Sequence, residues 1–262
     1  MPKKATEPPP KSRAQRAVLV VFFLMCSAIT IGLSLWLFQD ELRLPQLVAK
    51  MNKHQPQPER YELLTEDLKI RKLRLKERYL AADTIEQKDK ILSESRALLE
   101  SVLPEMMRCW LGTPWDFNGY CEKPGSGKIA CGYFVSTVMR DAGFKLNRIK
   151  LAQQPSQTIL NAFVPRGEMN IRTGMHFDTF WDMLADMDQG IYIIGLDKHV
   201  GFMVHDGTQL RSIHSSGSIP WCVVDESREN ADSIKRSHYR VVGNLTAQDS
   251  TILGWLLDKE FF

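Results

Sequence analysis

The spacing of apolar positions divides the chain into unlike stretches. Ala17 to Phe38 reads AVLVVFFLMCSAITIGLSLWLF and holds no charged residue. As a helix this run reaches about 33 Å at about 1.5 Å per residue, enough to cross a hydrocarbon core of about 30 Å. A cleavable signal peptide has a shorter apolar region and a small-residue cleavage site. This run instead ends in Leu35-Trp36-Leu37-Phe38, and Met25 stands before Cys26 where a lipoprotein signal needs a small residue. The spacing predicts an uncleaved membrane anchor. Residues 39–58 are polar, carry Pro45, Pro56 and Pro58, and read as a linker.

From Glu59 to Ala82 the pattern is helical and highly charged. Tyr61, Leu64, Leu68, Leu75 and Tyr79 fall near heptad spacing, interrupted by Arg71. That fits a short coiled-coil stalk or a helix packed on the domain. Thr84-Ile85-Glu86-Gln87 has the form of a capping box, and Ile91, Leu92, Leu98, Leu99 and Val102 recur behind it at helical spacing.

Trp110 to Gly132 is dense in Gly, Pro and Asn and reads as loop. Helical period returns with Phe134, Val135, Val138, Met139 and Ala142, and Gly143 supplies a stop. Gly190 to Asp206 reads GIYIIGLDKHVGFMVHD, two apolar runs broken at Leu196-Asp197-Lys198. Asp206-Gly207 is a hairpin turn signal before a further run from Leu210 to His214, so consecutive antiparallel strands are expected. His238 to Leu245 reads as another strand, and Thr246 to Asp258 as a short helix packing Trp255 and Leu256. There are no internal repeats.

Composition narrows the class. With 44% hydrophobic and 25% charged residues in 262, the chain can bury a sizeable core. A net charge of +3 is too small to argue for nucleic acid. Lys3, Lys4, Lys11, Arg13 and Arg16 precede the apolar run, whereas Asp40 and Glu41 follow it. The N-terminus is therefore expected in the cytoplasm, with everything after residue 38 periplasmic or extracellular. Five cysteines show no metal-type spacing. Outside the cytoplasm one disulfide among Cys109, Cys121 and Cys222 is allowed, and the sequence does not choose it.

The candidate chemistry centres on Cys131, at the mouth of a helix behind a glycine-rich loop. Exposed N–H groups and the helix dipole favour a thiolate there, the attacking species of covalent acyl transfer. The Gly125-Ser126-Gly127-Lys128 stretch is not a phosphate loop, because Glu122 and Ile129 occupy the positions that need Gly and Ser/Thr. His199 opens one expected strand and His214 closes the next, so pairing about the 206–207 turn brings them together. That suits a base held by a third polar group. His205 lies at the far end of its strand, and His54, His176 and His238 have no such setting.

Four segments in order carry a resemblance: Leu111 to Trp115, Cys131 to Val135, His199 to Gly201, and Ile213 to Ser216. Together they resemble NlpC-type papain-like cell-wall peptidases over about residues 100–216. The resemblance implies an α+β fold with a Cys-bearing helix packed on an antiparallel sheet. It implies Cys131 as nucleophile, His199 as base and His214 as the residue that orients the base. Its usual substrates are peptidoglycan stem peptides. Nothing in the sequence indicates a metal or organic cofactor. Trp115, Gly132 and Tyr120 are the candidate substrate contacts. Ala130 and Gly132 stand where the family usually has Asp and Ser, and Trp115 stands where Tyr is common, leaving Tyr120 or Tyr133 to supply a phenol.

The expected organisation is a basic tail (1–16), an anchor (17–38) in the inner membrane, a linker with helical stalk (39–98) and a cysteine hydrolase domain (99–262). Two rivals stand beside it. One is an amidase or acyltransferase of the same fold; the other is a non-catalytic, membrane-tethered scaffold with a degenerate peptidase domain.

Overall fold

The computed structural model describes residues 54–262, together with Met25, Ser27 and Thr30. The expected anchor 17–38 otherwise lies outside the described residues, as do the basic tail and most of the linker. Among the described residues no helix is long and apolar enough to cross a membrane. His54–Phe262 forms one compact unit.

Two long helices open it, α1 (Pro58–Leu80) and α2 (Ile85–Arg108). The expected capping box is present: Thr84 Oγ1 accepts from the Gln87 N–H at 3.2 Å, and Gln87 Oε1 accepts from the Thr84 N–H at 3.3 Å. Of the two arrangements open for Glu59–Ala82, the structure has the packed one. Tyr61, Leu68 and Leu75 of α1 are buried in the same core as Leu99, Leu103 and Met106 of α2. Tyr61 Oη donates to Asp141, and Lys72 Nζ donates to the Gly143 carbonyl at 2.8 Å and pairs with Asp258. The compact unit therefore starts with these helices, well ahead of residue 99.

Helix α3 (Cys131–Asp141) follows the loop, and Gly143, at φ +89°, stops the helical run as its position suggests. The connection 145–190 holds α4 (Arg148–Ala152), α5 (Ser156–Asn161), β1 (Asn170–Thr173) and α6 (Phe177–Ala185). Then come β2 (Gly190–Leu196), β3 (Val200–His205), β4 (Leu210–Ser215) and β5 (Val223–Glu226). Helix α7 (Asp232–Arg236), β6 (Tyr239–Asn244) and α8 (Asp249–Leu256) complete the chain.

The six strands form one antiparallel sheet in the order β1-β6-β2-β3-β4-β5. The class is α+β. Both faces are covered, which explains why β2 reads as a continuous apolar run rather than an alternating one. Ile191, Ile193, Phe202, Val204 and Ile213 face the core shared with α2 and α3. Tyr192, Ile194, Leu196 and Met203 face a second core built on Phe180, Trp181 and Leu184 of α6. Trp255 and Leu256 are fully buried, as expected of the final helix.

Candidate active site

The hairpin between β2 and β3 sets His199. The Leu196 N–H donates to the His199 carbonyl at 2.8 Å, closing the turn over Asp197-Lys198. Asp197 ties that turn to the start of β6. Its carboxylate accepts from Ser237 Oγ at 2.8 Å and from the backbone N–H groups of His238 (2.7 Å) and Tyr239 (3.0 Å). Burial opposes the charge, but these donors hold the carboxyl below its usual range. His199 is thus fixed at the mouth of β3 by a loop that is not free to swing.

The β3–β4 register, with Phe202 opposite Ile213, puts Gly201 across from His214. A Cβ on Gly201 would lie 2.7 Å from the His214 Cβ, so the glycine makes the room that the second histidine needs. The pairing expected from the turn is present: His199 Nε2 lies 2.7 Å from His214 Nδ1. Their rings meet edge to face, with centroids 4.7 Å apart. His214 is 2% exposed, and its Nε2 contacts Glu226 Oε2 at 3.0 Å. Next to it, Ser215 Oγ donates to the Ile129 carbonyl at 2.7 Å, pinning the segment that leads into Cys131.

Cys131 begins α3, which packs on β3 and β4. Ala130 provides no side-chain cap, so the first-turn N–H groups stay uncapped by a side chain and available to a developing oxyanion. Cys131 and His199 line one cleft of about 960 Å³, together with Trp115, Gly132, Tyr133, Gln153, Lys198 and Arg236. With Nε2 of His199 engaged by His214, Nδ1 is the ring nitrogen left without a side-chain hydrogen bond among the described residues.

The protonation state departs from the expectation of a lowered thiol pKa. Burial pushes the Cys131 thiol up, and it outweighs the lowering by the N–H groups of Val200, Gly132 and Cys131 itself. Burial, reinforced by the neighbouring His214 ring, holds His199 well below the usual imidazole range. Both shifts favour a neutral thiol and a neutral imidazole at rest over a thiolate and an imidazolium. The sign follows directly: below a raised pKa the thiolate fraction grows about tenfold per pH unit. Alkylation of Cys131 by iodoacetamide, followed by mass spectrometry, is therefore expected to rise about tenfold per unit from about pH 6 to 8. Fast, pH-independent labelling over that range would contradict the neutral pair. Cys222, pushed by burial up to about 11, stays silent in that window.

Other expected residues fall as follows. Trp115 forms one wall of the cleft; its N–H donates to the Trp221 carbonyl at 2.8 Å, and its ring lies against Gly217. Gly132 lines the floor. The Ala152 carbonyl of α4 presses on it so closely that a Cβ there would sit 2.3 Å from that oxygen. Tyr120 does not line the cleft itself, but its ring lies beside that of Tyr133, centroids 6.4 Å apart. It is bridged to Ile129, is 68% exposed and lines a separate hollow along residues 116–128. Tyr133 is the phenol in the cleft, under the Arg148 guanidinium at 5.0 Å and accepting from Gln153 Nε2 at 3.3 Å. Cys109, Cys121, Cys131 and Cys222 are free thiols. Among the described residues no group of His, Cys, Asp or Glu is arranged to hold a metal ion. His205 sits at the turn, its Nε2 3.1 Å from the Ala185 carbonyl, and His54, His176 and His238 are exposed.

Sequence reasoning missed Glu226. The β4–β5 register sets His214 opposite Val224, which puts Glu226 one diagonal step along the same face. The irregular connection 216–222 hides that register, so only the Asp-Glu ending of an apolar pair hinted at it. Comparison with known proteins adds nothing to this geometry: no family model, no curated protein and no solved structure matches the chain.

Proposed function

We propose that the protein is a cysteine hydrolase of the NlpC-type, papain-like kind, cleaving amide bonds in peptidoglycan stem peptides through an acyl-enzyme. The observation that carries this reading is the convergence of Cys131, at an uncapped helix mouth, and a His199–His214 pair on one cleft. His199 Nδ1 takes the thiol proton as the sulfur attacks the scissile carbonyl carbon. The oxyanion is met by N–H groups at the start of α3. Collapse breaks the C–N bond, and the amine leaves with the proton from His199. Water, deprotonated by the same nitrogen, then hydrolyses the thioester and restores the thiol.

Two features suit a wall peptide. Lys198 and Arg236 on the cleft wall can meet the carboxylates of such a substrate. In this proposal the apolar run 17–38 holds the domain outside the cytoplasmic membrane, where the wall is within reach.

The test is to incubate the full-length chain with purified peptidoglycan and identify the fragments by mass spectrometry. Wild type is expected to release peptides, and Cys131→Ala is expected to lose at least about 10³-fold in rate. Equal product from the two proteins would sink the enzyme reading and return the scaffold. Phe117, 80% exposed on the same cleft, favours a second reading in which the acyl donor is apolar. A parallel assay on phospholipid vesicles separates the two: fatty acid released by wild type, with no peptide released from the wall, would establish the second.

A further inference from the structure

We propose that Glu226 is a positioning residue that acts through His214 to select which nitrogen of His199 carries the proton. This rests on the hydrolase reading above. A carboxylate only accepts hydrogen bonds. A neutral His214 facing Glu226 Oε2 at 3.0 Å carries its proton on Nε2 and leaves a lone pair on Nδ1. That lone pair lies 2.7 Å from His199 Nε2, which must be the donor across the contact. His199 is left with a bare Nδ1, the atom that has to receive the Cys131 proton. A carboxylate two rings away thus sets the base.

The surroundings leave Glu226 to this task. Two guanidinium groups lie close by, and both are taken by the neighbouring acid: Arg108 Nε meets Asp225 at 3.0 Å and Arg211 Nε meets it at 2.7 Å. Among the described residues the one side-chain hydrogen bond of Glu226 is to His214. The Glu226 side chain is 14% exposed and His214 2%, so water competes weakly for the contact. The remaining titratable neighbour is the Cys222 thiol, neutral at working pH. The β4–β5 ladder and the Arg211–Asp225 pair hold the two strands without Glu226. During attack His199 becomes an imidazolium, and the chain of two hydrogen bonds links that new charge to the carboxylate. The contact therefore strengthens in the transition state, where it affects kcat rather than KM.

The experiment uses the full-length protein with ¹⁵N-labelled histidines. Long-range ¹H–¹⁵N spectra read the tautomer directly and need no substrate. In wild type, Nδ1 of both His199 and His214 is expected to be unprotonated. In Glu226→Ala both rings are expected to lose that single tautomer. Turnover on peptidoglycan should then fall about 10- to 100-fold in kcat, with KM within about twofold and the acid limb of the profile moved to lower pH. Glu226→Gln accepts through its amide oxygen without a charge, so it should recover the tautomer and part of kcat. Unchanged tautomers in Glu226→Ala, with kcat within about twofold of wild type, would overturn the proposal. Wild-type product from Cys131→Ala would sink the hydrolase reading instead, and the nitrogen spectra would still decide what Glu226 does.

Discussion

His214→Ala is expected to lower kcat on the peptide substrate by about 10²- to 10³-fold while leaving the fold intact. The substitution empties a site that is 2% exposed and wedged between two polar groups. His199 loses the acceptor for its Nε2 proton, and Glu226 loses its side-chain hydrogen bond. A buried polar group left unsatisfied costs about 1–3 kcal/mol, so a modest drop in Tm accompanies the loss of turnover. The catalytic loss should be the larger of the two, because the His199 tautomer is no longer fixed. Steady-state kinetics and thermal unfolding on the same preparation separate them. A His214→Ala variant with kcat within about threefold of wild type would remove the second histidine from the mechanism. His214→Asn, which keeps a donor and an acceptor, should recover part of the difference.

The second large effect concerns stability. Gly132→Ser, which installs the residue usual in the resembled family, is expected to destabilise the domain by about 3 kcal/mol. In a unit of this size that lowers Tm by roughly 6–12 °C. The reason is the Ala152 carbonyl, which would lie 2.3 Å from the new Cβ. Either α4 lifts off or the first turn of α3 shifts, and each outcome moves Cys131. An unchanged Tm would show that α4 is not held there. It is held from several sides: Arg148 is buried, donates to Thr137 Oγ1 at 2.7 Å and reaches the carbonyls of Tyr120 and Cys121, both at 2.8 Å. The absence of a side chain at position 132 thus fits the close approach of α4 (Arg148–Ala152), which packs on the helix that carries Cys131.

What the sequence disclosed divides along physical lines. Local signals were reliable: the period of Phe134, Val135, Val138 and Met139, the Thr84–Gln87 box, and the Asp206-Gly207 turn all act within a few residues. The His199–His214 approach followed from one hairpin. Properties set by tertiary cover were not legible. Helical period in α1 is the same whether the stripe meets another chain or its own domain, so the packing of Tyr61, Leu68 and Leu75 had to be seen. The sign of the Cys131 shift depends on how much protein surrounds the sulfur, and a helix-mouth argument counts only the N–H groups. Tyr120 and Tyr133 are equivalent in composition, yet only the second lies on the face of α3 that meets the cleft. Glu226 depends on a strand register set behind an irregular connection.

The α1–α2 hairpin limits how this chemistry could be moved between proteins. Leu68 is 1% exposed and Leu99, Leu103 and Met106 are fully buried, all in the core that also backs the nucleophile's helix. Pro56 and the His54 carbonyl press against Gly125 and Gly112, so the polypeptide enters the domain at the loop that carries Trp115. A fragment beginning at residue 99 would strip Tyr61, Leu68, Leu75 and Ile91 from that core and leave the wall of the cleft without its brace. The smallest portable unit therefore begins at about His54. In a graft or fusion the hairpin travels with Cys131 as part of the compact unit, and any exchange of sequence belongs ahead of it.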